Sequence, residues 1–276
     1  MAKNVKITLI GAGKMGEAII SGVLKQGLTS PENITAAEPH PDRREELVKR
    51  YGINCVEENG AAVEGADVVL LSVKPQMFKM VAADIKGRLP TGALVISIMA
   101  GMTMTRISEK LGHDLIVRTM PNTPAQVAQA ITMWTCTPTV KQAQQSLARD
   151  ILSSFGQEIF VEEELEKYID MATAISGSGP AYVFLFIEAW IDAGVQIGFP
   201  RWMAEKLVLQ TVRGSVEYMV STGDHPAKMR NDVTSSAGTS AAALYEFERA
   251  GLRVAVADAV NAAFNKSQEL GRNNKD

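Results

Sequence analysis

Short apolar runs alternate with amphipathic segments along the first part of the chain, up to about residue 160. Runs of this kind are typical of strands in a sheet that is covered on both faces, with helices between them. We predict strands over residues 5–10, 34–37, 68–71, 94–98, 115–118, 130–136 and 158–161. The alternation predicts an α/β fold with a doubly wound parallel sheet of the Rossmann type and extra strands at one edge.

After Val161 the pattern changes, because strand-like runs give way to Ala-rich helical patterns. We predict helices over residues 165–174, 181–197, 203–220, 240–250 and 253–270. The sequence therefore predicts two domains. The first is a dinucleotide-binding Rossmann domain over residues 1–161, and the second is an all-α domain over residues 162–276.

The first long helix of the second domain is apolar on more than one face. Six consecutive residues, 182–187, read YVFLFI, so a single core-facing stripe cannot bury them all. We predict that a second copy of the chain covers them, which makes the protein a homodimer or a higher oligomer of dimers. The alternative is a compact monomeric bundle with the same residues inside.

The first predicted strand leads directly into GAGKMG, a GxGxxG turn that opens a helical pattern. In such a turn Gly11 makes the tight bend, Gly13 lets the backbone approach a pyrophosphate, and Gly16 lets the helix pack close to the sheet. The helix N-terminus then binds the phosphates. We predict cofactor contacts at Gly11, Ala12, Gly13, Lys14, Met15 and Gly16; a purely structural turn is the alternative.

Three later strand ends can complete the same cleft, because open α/β sheets bind ligands outside the carboxyl ends of their strands. Prolines in SVKP and MPNTP follow two of these ends and fix the backbone there. Ordinary turn chemistry is the alternative. The further predicted cofactor residues are Asn59, Ser72, Val73, Lys74, Pro75, Met99, Ala100, Gly101 and Asn122.

Glu38 closes the second predicted strand, 22 residues after Gly16. An acidic side chain at this position would accept from ribose hydroxyls and repel a 2′-phosphate. Arg43 and Arg44 are the nearby cationic partners for such a phosphate. We predict NADPH or NADH as the cofactor, and this local sequence favours NADH.

The composition argues against several other partners. A formal net charge of −3 gives no basic excess for nucleic acid. Two cysteines, Cys55 and Cys136, cannot build a disulfide framework, which fits a cytoplasmic protein. The N-terminus lacks a signal-peptide pattern, and Glu188 interrupts the longest apolar run, so we expect no membrane partner. The three histidines are scattered, so we expect no metal.

The motifs GAGKMG, SVKPQ, SIMAG, MPNTPA, SGSGPAYVF and DVTSSAGTS follow one another between Gly11 and about Glu248. Taken together, they resemble the pyrroline-5-carboxylate reductases, and the last two motifs are the specific ones. The resemblance implies a Rossmann domain followed by a helical domain that interlocks in a dimer and binds substrate. It also implies reduction of the cyclic imine 1-pyrroline-5-carboxylate to proline, the last step of proline biosynthesis, with a nicotinamide cofactor.

Residues 232–240 suit a site for the substrate carboxylate. Ala237 and Gly238 form a small-residue turn, and Thr239 and Ser240 stand where a helix should begin. The resemblance places substrate contacts at Thr239 and Ser240, which we predict to be the catalytic residues; a plain N-cap loop is the alternative. The predicted substrate-binding residues are Ser176, Ser235, Gly238, Thr239 and Ser240.

Position 236 departs from the family pattern, and the register of one acidic family position is open. Ser236 stands where the family usually has proline, which loosens the turn. An acidic family position that approaches the substrate lies near Glu166, but Glu162, Glu163 and Glu164 compete for that register. A solvated acidic face is the favoured interpretation of this cluster.

Two other functions stay open at this point. A β-hydroxyacid dehydrogenase needs a base at the alcohol, and the related enzymes place a lysine on the first long helix of the second domain. That helix has neither lysine nor histidine here, whereas a protonated imine is already an electrophile and needs mainly positioning. A non-catalytic nucleotide-binding scaffold would have no use for residues 238–240.

Overall fold

The computed structural model describes residues 4–273. The predicted domain ends at residues 1–3 and 274–276 lie outside the described part. Within it, eight strands form one sheet in the order β3-β2-β1-β4-β5-β6-β7-β8. Neighbouring strands are parallel except for β6 and β7. The strands are β1 Ile7–Ile10, β2 Ile34–Ala37, β3 Asn54–Val56, β4 Val68–Leu71, β5 Leu94–Ser97, β6 Ile116–Met120, β7 Ala130–Cys136 and β8 Gly156–Phe160. This sheet confirms the predicted α/β class and its extra edge strands.

Helices cover both faces of the sheet. Successive residues of a strand point to opposite faces, and both sets of side chains are buried in apolar clusters. Leu70 packs in one buried apolar cluster together with Ile19, whereas its neighbour Leu71 packs in another together with Phe78. The sheet is therefore doubly wound, as predicted. The helices of this part are α1 Lys14–Lys25, α2 Pro41–Tyr51, α3 Asn59–Ala62, α4 Phe78–Ile85, α5 Met104–Leu111, α6 Gln142–Ser153 and α7 Lys167–Ala172.

The chain divides into two compact units. One comprises the residues up to Ser178 together with those from Ala263 onward, and the other is Gly179–Ala262. The second unit is all-helical in its regular structure, as predicted, and the boundary between residues 161 and 162 stays a prediction. The remaining helices are α8 Gly179–Gln196, α9 Arg201–Thr222, α10 Pro226–Asp232, α11 Thr239–Arg249 and α12 Leu252–Asn273.

The second unit leaves many large apolar side chains exposed in the single chain. Its buried cluster consists of Ile191, Ala204 and Val208, whereas Phe184 and Leu185 are 64% and 68% exposed. Exposed apolar surface of this extent marks an interaction site. The prediction that α8 carries more apolar residues than one chain can bury is confirmed.

Several local expectations were wrong. The strand β3 and the helix α10 were not predicted, because both are short, neither contains a fully buried residue, and neither carries an apolar periodicity. A single helix was expected over residues 165–174, yet α7 ends at Ala172 and a π-helical turn follows over Thr173–Gly177. Wider turns of this kind occur often at functional sites.

Candidate active site

The turn between β1 and α1 leaves no room for side chains at two of its glycines. Gly11 has a φ of +86°, and a Cβ on it would lie 2.8 Å from Val73 Cγ1. A Cβ on Gly16 would lie 2.6 Å from the carbonyl oxygen of Gly11. The tight bend and the close helix packing that the GxGxxG spacing predicts are both present.

Gly13, unlike Gly11 and Gly16, has open space around it. It is exposed and directly precedes α1, and no described atom lies within 4 Å of a Cβ built on it. The first backbone N–H groups of a helix have no partner within that helix, and Gly13 adjoins them. Open space beside helix N-terminal donors is what a pyrophosphate group requires, so the turn fits a dinucleotide.

Glu38 lies at the end of β2 and is attached to this turn. It is 6% exposed, and its carboxylate accepts hydrogen bonds from the backbone amides of Ala12, at 3.3 Å, and of His40, at 3.2 Å. The side chain therefore holds the glycine-rich turn against β2. It also places an acidic group beside the cleft, as the sequence predicted.

The two arginines near Glu38 are engaged with the protein itself. Arg43 donates to the carbonyl oxygen of Ala12 at 3.1 Å and to the carboxylate of Glu17 at 2.5 Å. Arg44 donates to the carbonyl oxygen of Glu38 at 2.7 Å. Burial raises the pKa of Glu17, but the hydrogen bonds it accepts, led by that from Arg43, outweigh burial and leave this pKa below its usual value. A 2′-phosphate would have to compete with these partners.

A cavity of about 360 Å³ lies where β1, β2 and β4 end. Met77 and Met80, which sequence reasoning missed, line it and are 45% and 53% exposed. Their spacing of three residues just after a strand end was the available signal for an apolar wall. Six predicted cofactor residues line this cavity: Gly11, Glu38, Asn59, Ser72, Val73 and Lys74.

Other predicted cofactor residues lie around the cavity rather than in its lining. Ala12 is buried, Lys14 is exposed and Met15 is half-buried at the start of α1, and Pro75 opens the turn that precedes α4. Met99, Ala100 and Gly101 form the loop that follows β5. The structure thus brings all of these residues to one end of the sheet, although not into one cavity.

Asn122, which follows β6, uses both ends of its side-chain amide within the protein. Its Oδ1 accepts from the amide of Ile131 at 3.0 Å, and its Nδ2 donates to the carbonyl oxygen of Ser176 at 3.1 Å. Ser176 lies in the π-helical turn and donates from its hydroxyl to Ala172 O at 3.0 Å. Asn122 therefore links the end of β6 to the SGSGP segment.

Arg118 lies in β6 with its side chain 1% exposed. Its guanidinium lies 3.0 Å from Glu166 and 2.5 Å from Asp170, and the same Glu166 oxygen accepts from the amide of Met104 at 2.8 Å. This cluster ties β6 and the start of α5 to α7. The expectation of a solvated acidic face is wrong for Glu166, because Arg118 draws its carboxylate inward. It is right for the remaining members, which are exposed: Glu162, Glu163 and Glu164.

The loop that was predicted to bind substrate lies in the second unit and ends in a helix N-terminus. Gly238 is the N-cap of α11, and Thr239 is its first residue, one residue before the predicted start of this helix at Ser240. Ala237 has a φ of +58°, an uncommon backbone conformation for a residue with a side chain. Ser235 is exposed and Ser240 is half-buried. The free N–H groups at the start of α11 and the nearby hydroxyls suit a carboxylate ligand.

The cysteines do not provide reactive groups. Burial is the main reason that the pKa of Cys136 rises to about 11, with nearby Glu162 and Glu163 adding to the shift. Burial also raises the pKa of Cys55. Both thiols therefore stay protonated near neutral pH. Among residues 4–273, no group of three or more His, Cys, Asp or Glu side chains could hold a metal, and the expected absence of a metal stays a prediction.

One described stretch, Glu163–Gln196, is long and apolar enough to cross a membrane by length and composition. It contains α8, whose exposed apolar residues are also those expected to meet a second copy of the chain. A single stretch of this kind is weak evidence for a membrane span. The expected absence of a membrane partner stays a prediction.

Two family models match separate parts of the chain. Residues 6–101 match the model described as NADP oxidoreductase coenzyme F420-dependent, and residues 166–270 match the model for pyrroline-5-carboxylate reductase dimerisation. The fold and the cleft thus define a Rossmann-type oxidoreductase, with a helical part of the kind that forms homo-oligomers.

Comparison with complete relatives is more specific. The pyrroline-5-carboxylate reductase of Synechocystis is 41% identical over 98% of this chain and 99% of its own length. That of Escherichia coli is 37% identical over 97% of this chain and 98% of its own. The chain belongs to the pyrroline-5-carboxylate reductase family, which confirms the resemblance seen in the sequence and makes the chain an enzyme rather than a scaffold.

Solved structures agree with this assignment. The pyrroline carboxylate reductase of Plasmodium falciparum, with NADP bound, has a TM-score of 0.89 at 34% identity and covers 98% of this chain and 100% of its own. A pyrroline-5-carboxylate reductase from Coxiella burnetii has a TM-score of 0.86 at 36% identity, over 97% of this chain and 99% of its own. A prephenate dehydrogenase from A. aeolicus, at 13% identity and a TM-score of 0.53, shares the fold alone.

Proposed function

We propose that the protein reduces 1-pyrroline-5-carboxylate to L-proline with NADPH or NADH. The observation that carries the cofactor part is the glycine-rich turn, where two glycines are enclosed and Gly13 faces open space at a helix N-terminus. Relatives named as pyrroline-5-carboxylate reductases over nearly the whole chain support the substrate.

The direct test follows the oxidation of NADPH and of NADH in parallel with 1-pyrroline-5-carboxylate. A hydroxy acid with NADP⁺ or NAD⁺ serves as the control for the dehydrogenase alternative. We expect turnover with the imine and none with the hydroxy acid. No turnover of the hydroxy acid is expected because α8 lacks the lysine that related dehydrogenases use as a base, so the reverse pattern would contradict the proposal.

The chemistry asks little of the protein beyond binding and orientation. The nicotinamide supplies the hydride when bound, and a protonated imine is already an electrophile that can accept it. The glycine-rich turn and the strand ends would hold the dinucleotide. Thr239 and Ser240, with the amides that open α11, would hold the substrate carboxylate, while Ser176, Ser235 and Gly238 would shape its surroundings.

We expect Ser240→Ala to raise the barrier in kcat/KM for 1-pyrroline-5-carboxylate by about 1.5 to 3 kcal/mol, the range for a hydrogen bond to a charged group. Cofactor affinity should stay unchanged. Steady-state kinetics at saturating cofactor measure the effect. Ser236→Ala, in the same exposed loop, is the matched control and should stay close to the unmodified enzyme.

A second variant separates a hydroxyl contact from a contact through the backbone. A Cβ on Gly238 would meet the Ser235 side chain and would lie 3.1 Å from the Ser235 carbonyl oxygen, so Gly238→Val should distort the turn. A near-neutral Ser240→Ala with a large loss in Gly238→Val would assign binding to the amides. Full activity in both variants would remove this loop from the proposed site.

We expect Glu38→Gln to raise the NADPH to NADH ratio of kcat/KM by about tenfold, ~1.4 kcal/mol, because it removes a carboxylate that would repel a 2′-phosphate in this cavity. Glutamine keeps one oxygen, which can accept from the Ala12 amide and hold the glycine-rich turn, but it loses the bond that the other carboxylate oxygen accepts from the His40 amide. Glu57→Gln, on the same cavity but exposed, should change the ratio less because solvent screens its charge. An unchanged ratio in Glu38→Gln would mean that its charge does not select the cofactor.

We further propose that the protein works in the cytoplasm as a homodimer or an oligomer of dimers, without nucleic acid or membrane partners. The match to a dimerisation model and the exposed apolar side chains of α8 support the dimer. The proposed domains are residues 1–161 for the cofactor and 162–276 for dimerisation and substrate. Sedimentation of a diluted sample should show a dimer or larger, and a stable active monomer would contradict this.

A further inference from the structure

The last turns of α12 lie against the loop that follows β5, backbone to backbone. Gly101 has a φ of +72°, and a Cβ on it would lie 2.9 Å from the amide nitrogen of Gly271 and 3.1 Å from the carbonyl oxygen of Ser267. In return, a Cβ on Gly271 would lie 3.0 Å from the carbonyl oxygen of Gly101. Each of these two glycines thus makes room for the other.

Two side chains complete this contact. Arg106, in the first turns of α5, donates from Nη1 to the carbonyl oxygen of Gly271. Ser267 is 2% exposed, and its hydroxyl has no hydrogen-bond partner among the described residues, so this turn is buried against the protein. The end of α12 therefore contacts both the loop and the helix that the loop enters.

The loop is enclosed on its other side by the core. The amide of Met99 donates to the Ser97 hydroxyl at 3.3 Å, and Met99 and Met102 are 2% and 3% exposed. Residues 99–101 are also the part of the proposed cofactor site contributed by β5. Their backbone therefore has two supports, the end of the sheet and the end of α12, and the second comes from a distant part of the sequence.

We propose that residues 267–271 are positioning residues for the cofactor: they hold the loop 99–101 in the shape that binds the dinucleotide. This inference rests on the proposed cofactor site. The end of α12 then influences cofactor affinity, although it lies about 170 residues after the loop that it holds.

The test is Gly271→Ala, whose added methyl group must push the loop away from α12. Because this crowding displaces the loop backbone, we expect the Kd for NADPH, measured by calorimetry, to rise about tenfold. The KM for 1-pyrroline-5-carboxylate at saturating NADPH should stay unchanged. Lys266→Ala, on the exposed side of the same helix, is the matched control and should leave the Kd unchanged.

A chain that ends at Leu270 provides a second variant, because it removes the Gly271 contact without adding bulk. It should also bind NADPH more weakly, and it replaces Gly271→Ala if that variant does not fold. Folded variants that bind NADPH as tightly as the unmodified chain would overturn the proposal. A lower melting temperature with an unchanged Kd would mean that residues 267–271 stabilise the fold but do not position the cofactor loop.

The proposal and the cofactor site on which it rests can fail separately. If Gly13→Val keeps full NADPH affinity, the cofactor site itself is misplaced, and the role of residues 267–271 is rejected with it. If Gly13→Val loses NADPH while both C-terminal variants keep it, the cofactor site stands and the positioning role alone is overturned.

Discussion

Replacing Gly13 with valine is expected to abolish dinucleotide binding while leaving the fold intact. No described atom lies within 4 Å of a Cβ at this position, and the φ of −66° suits any residue. The branched side chain would instead occupy the space of the pyrophosphate. We expect the Kd for NADPH and NADH to rise by at least about 100-fold, ~2.7 kcal/mol, as measured by calorimetry.

The control for this prediction is Gly92→Val. Gly92 also has open space around its Cβ position but lies before β5, at the opposite end of the sheet from the cleft. The Gly92→Val protein should bind the cofactor with unchanged affinity and melt at the same temperature as the unmodified protein. A folded Gly13→Val protein with unchanged cofactor affinity would remove the nucleotide site from this turn.

Replacing Arg118 with methionine is expected to destabilise the protein by about 3 kcal/mol. The substitution leaves Glu166 and Asp170 without their buried cationic partner, and breaking a buried ion pair from one side costs roughly 3 to 5 kcal/mol. The low end applies because both carboxylates are 21% exposed and water can compensate in part. Urea unfolding should show a lower midpoint at an unchanged m-value.

Arg50→Met provides the comparison for an exposed pair. Arg50 lies 2.7 Å from Glu17 but is 61% exposed, so its loss should cost no more than about 1 kcal/mol. Equal costs for the two variants would show that burial adds nothing to the Arg118 cluster.

The sequence predicted the sheet because strand burial leaves a strong pattern. Strands β2, β4 and β7 begin and end at the predicted residues. Each of the three has a neighbouring strand on both sides, so none is an edge strand. The edge strand β3 escaped prediction, since a three-residue strand with an exposed first residue has no apolar run to mark it. The π-helical turn after α7 escaped for another reason: its carbonyl at Ser176 is satisfied by Asn122, which is 54 residues away.

The candidate site was predictable where chemistry is local. The glycine spacing of residues 11–16 and the acidic end of β2 indicate a dinucleotide turn, and the structure gives both the expected geometry. The sequence could not show that Arg43 and Arg44 already have partners within the protein. It also could not show which member of the acidic run after β8 turns inward, because that depends on Arg118 in β6.

The sequence by itself thus determined the class of fold and the position of the glycine-rich turn, because these depend on periodicity and on spacing within short segments, and its motifs carried the resemblance to the family. The tertiary structure alone decided the contacts between distant segments: Glu38 with the Ala12 amide, Arg118 with Glu166, and Gly101 with Gly271. Periodicity reports which face of an element is buried, but not which element lies opposite. A hydrogen bond or a close backbone approach depends on that opposite partner, so it exists only once the chain has packed.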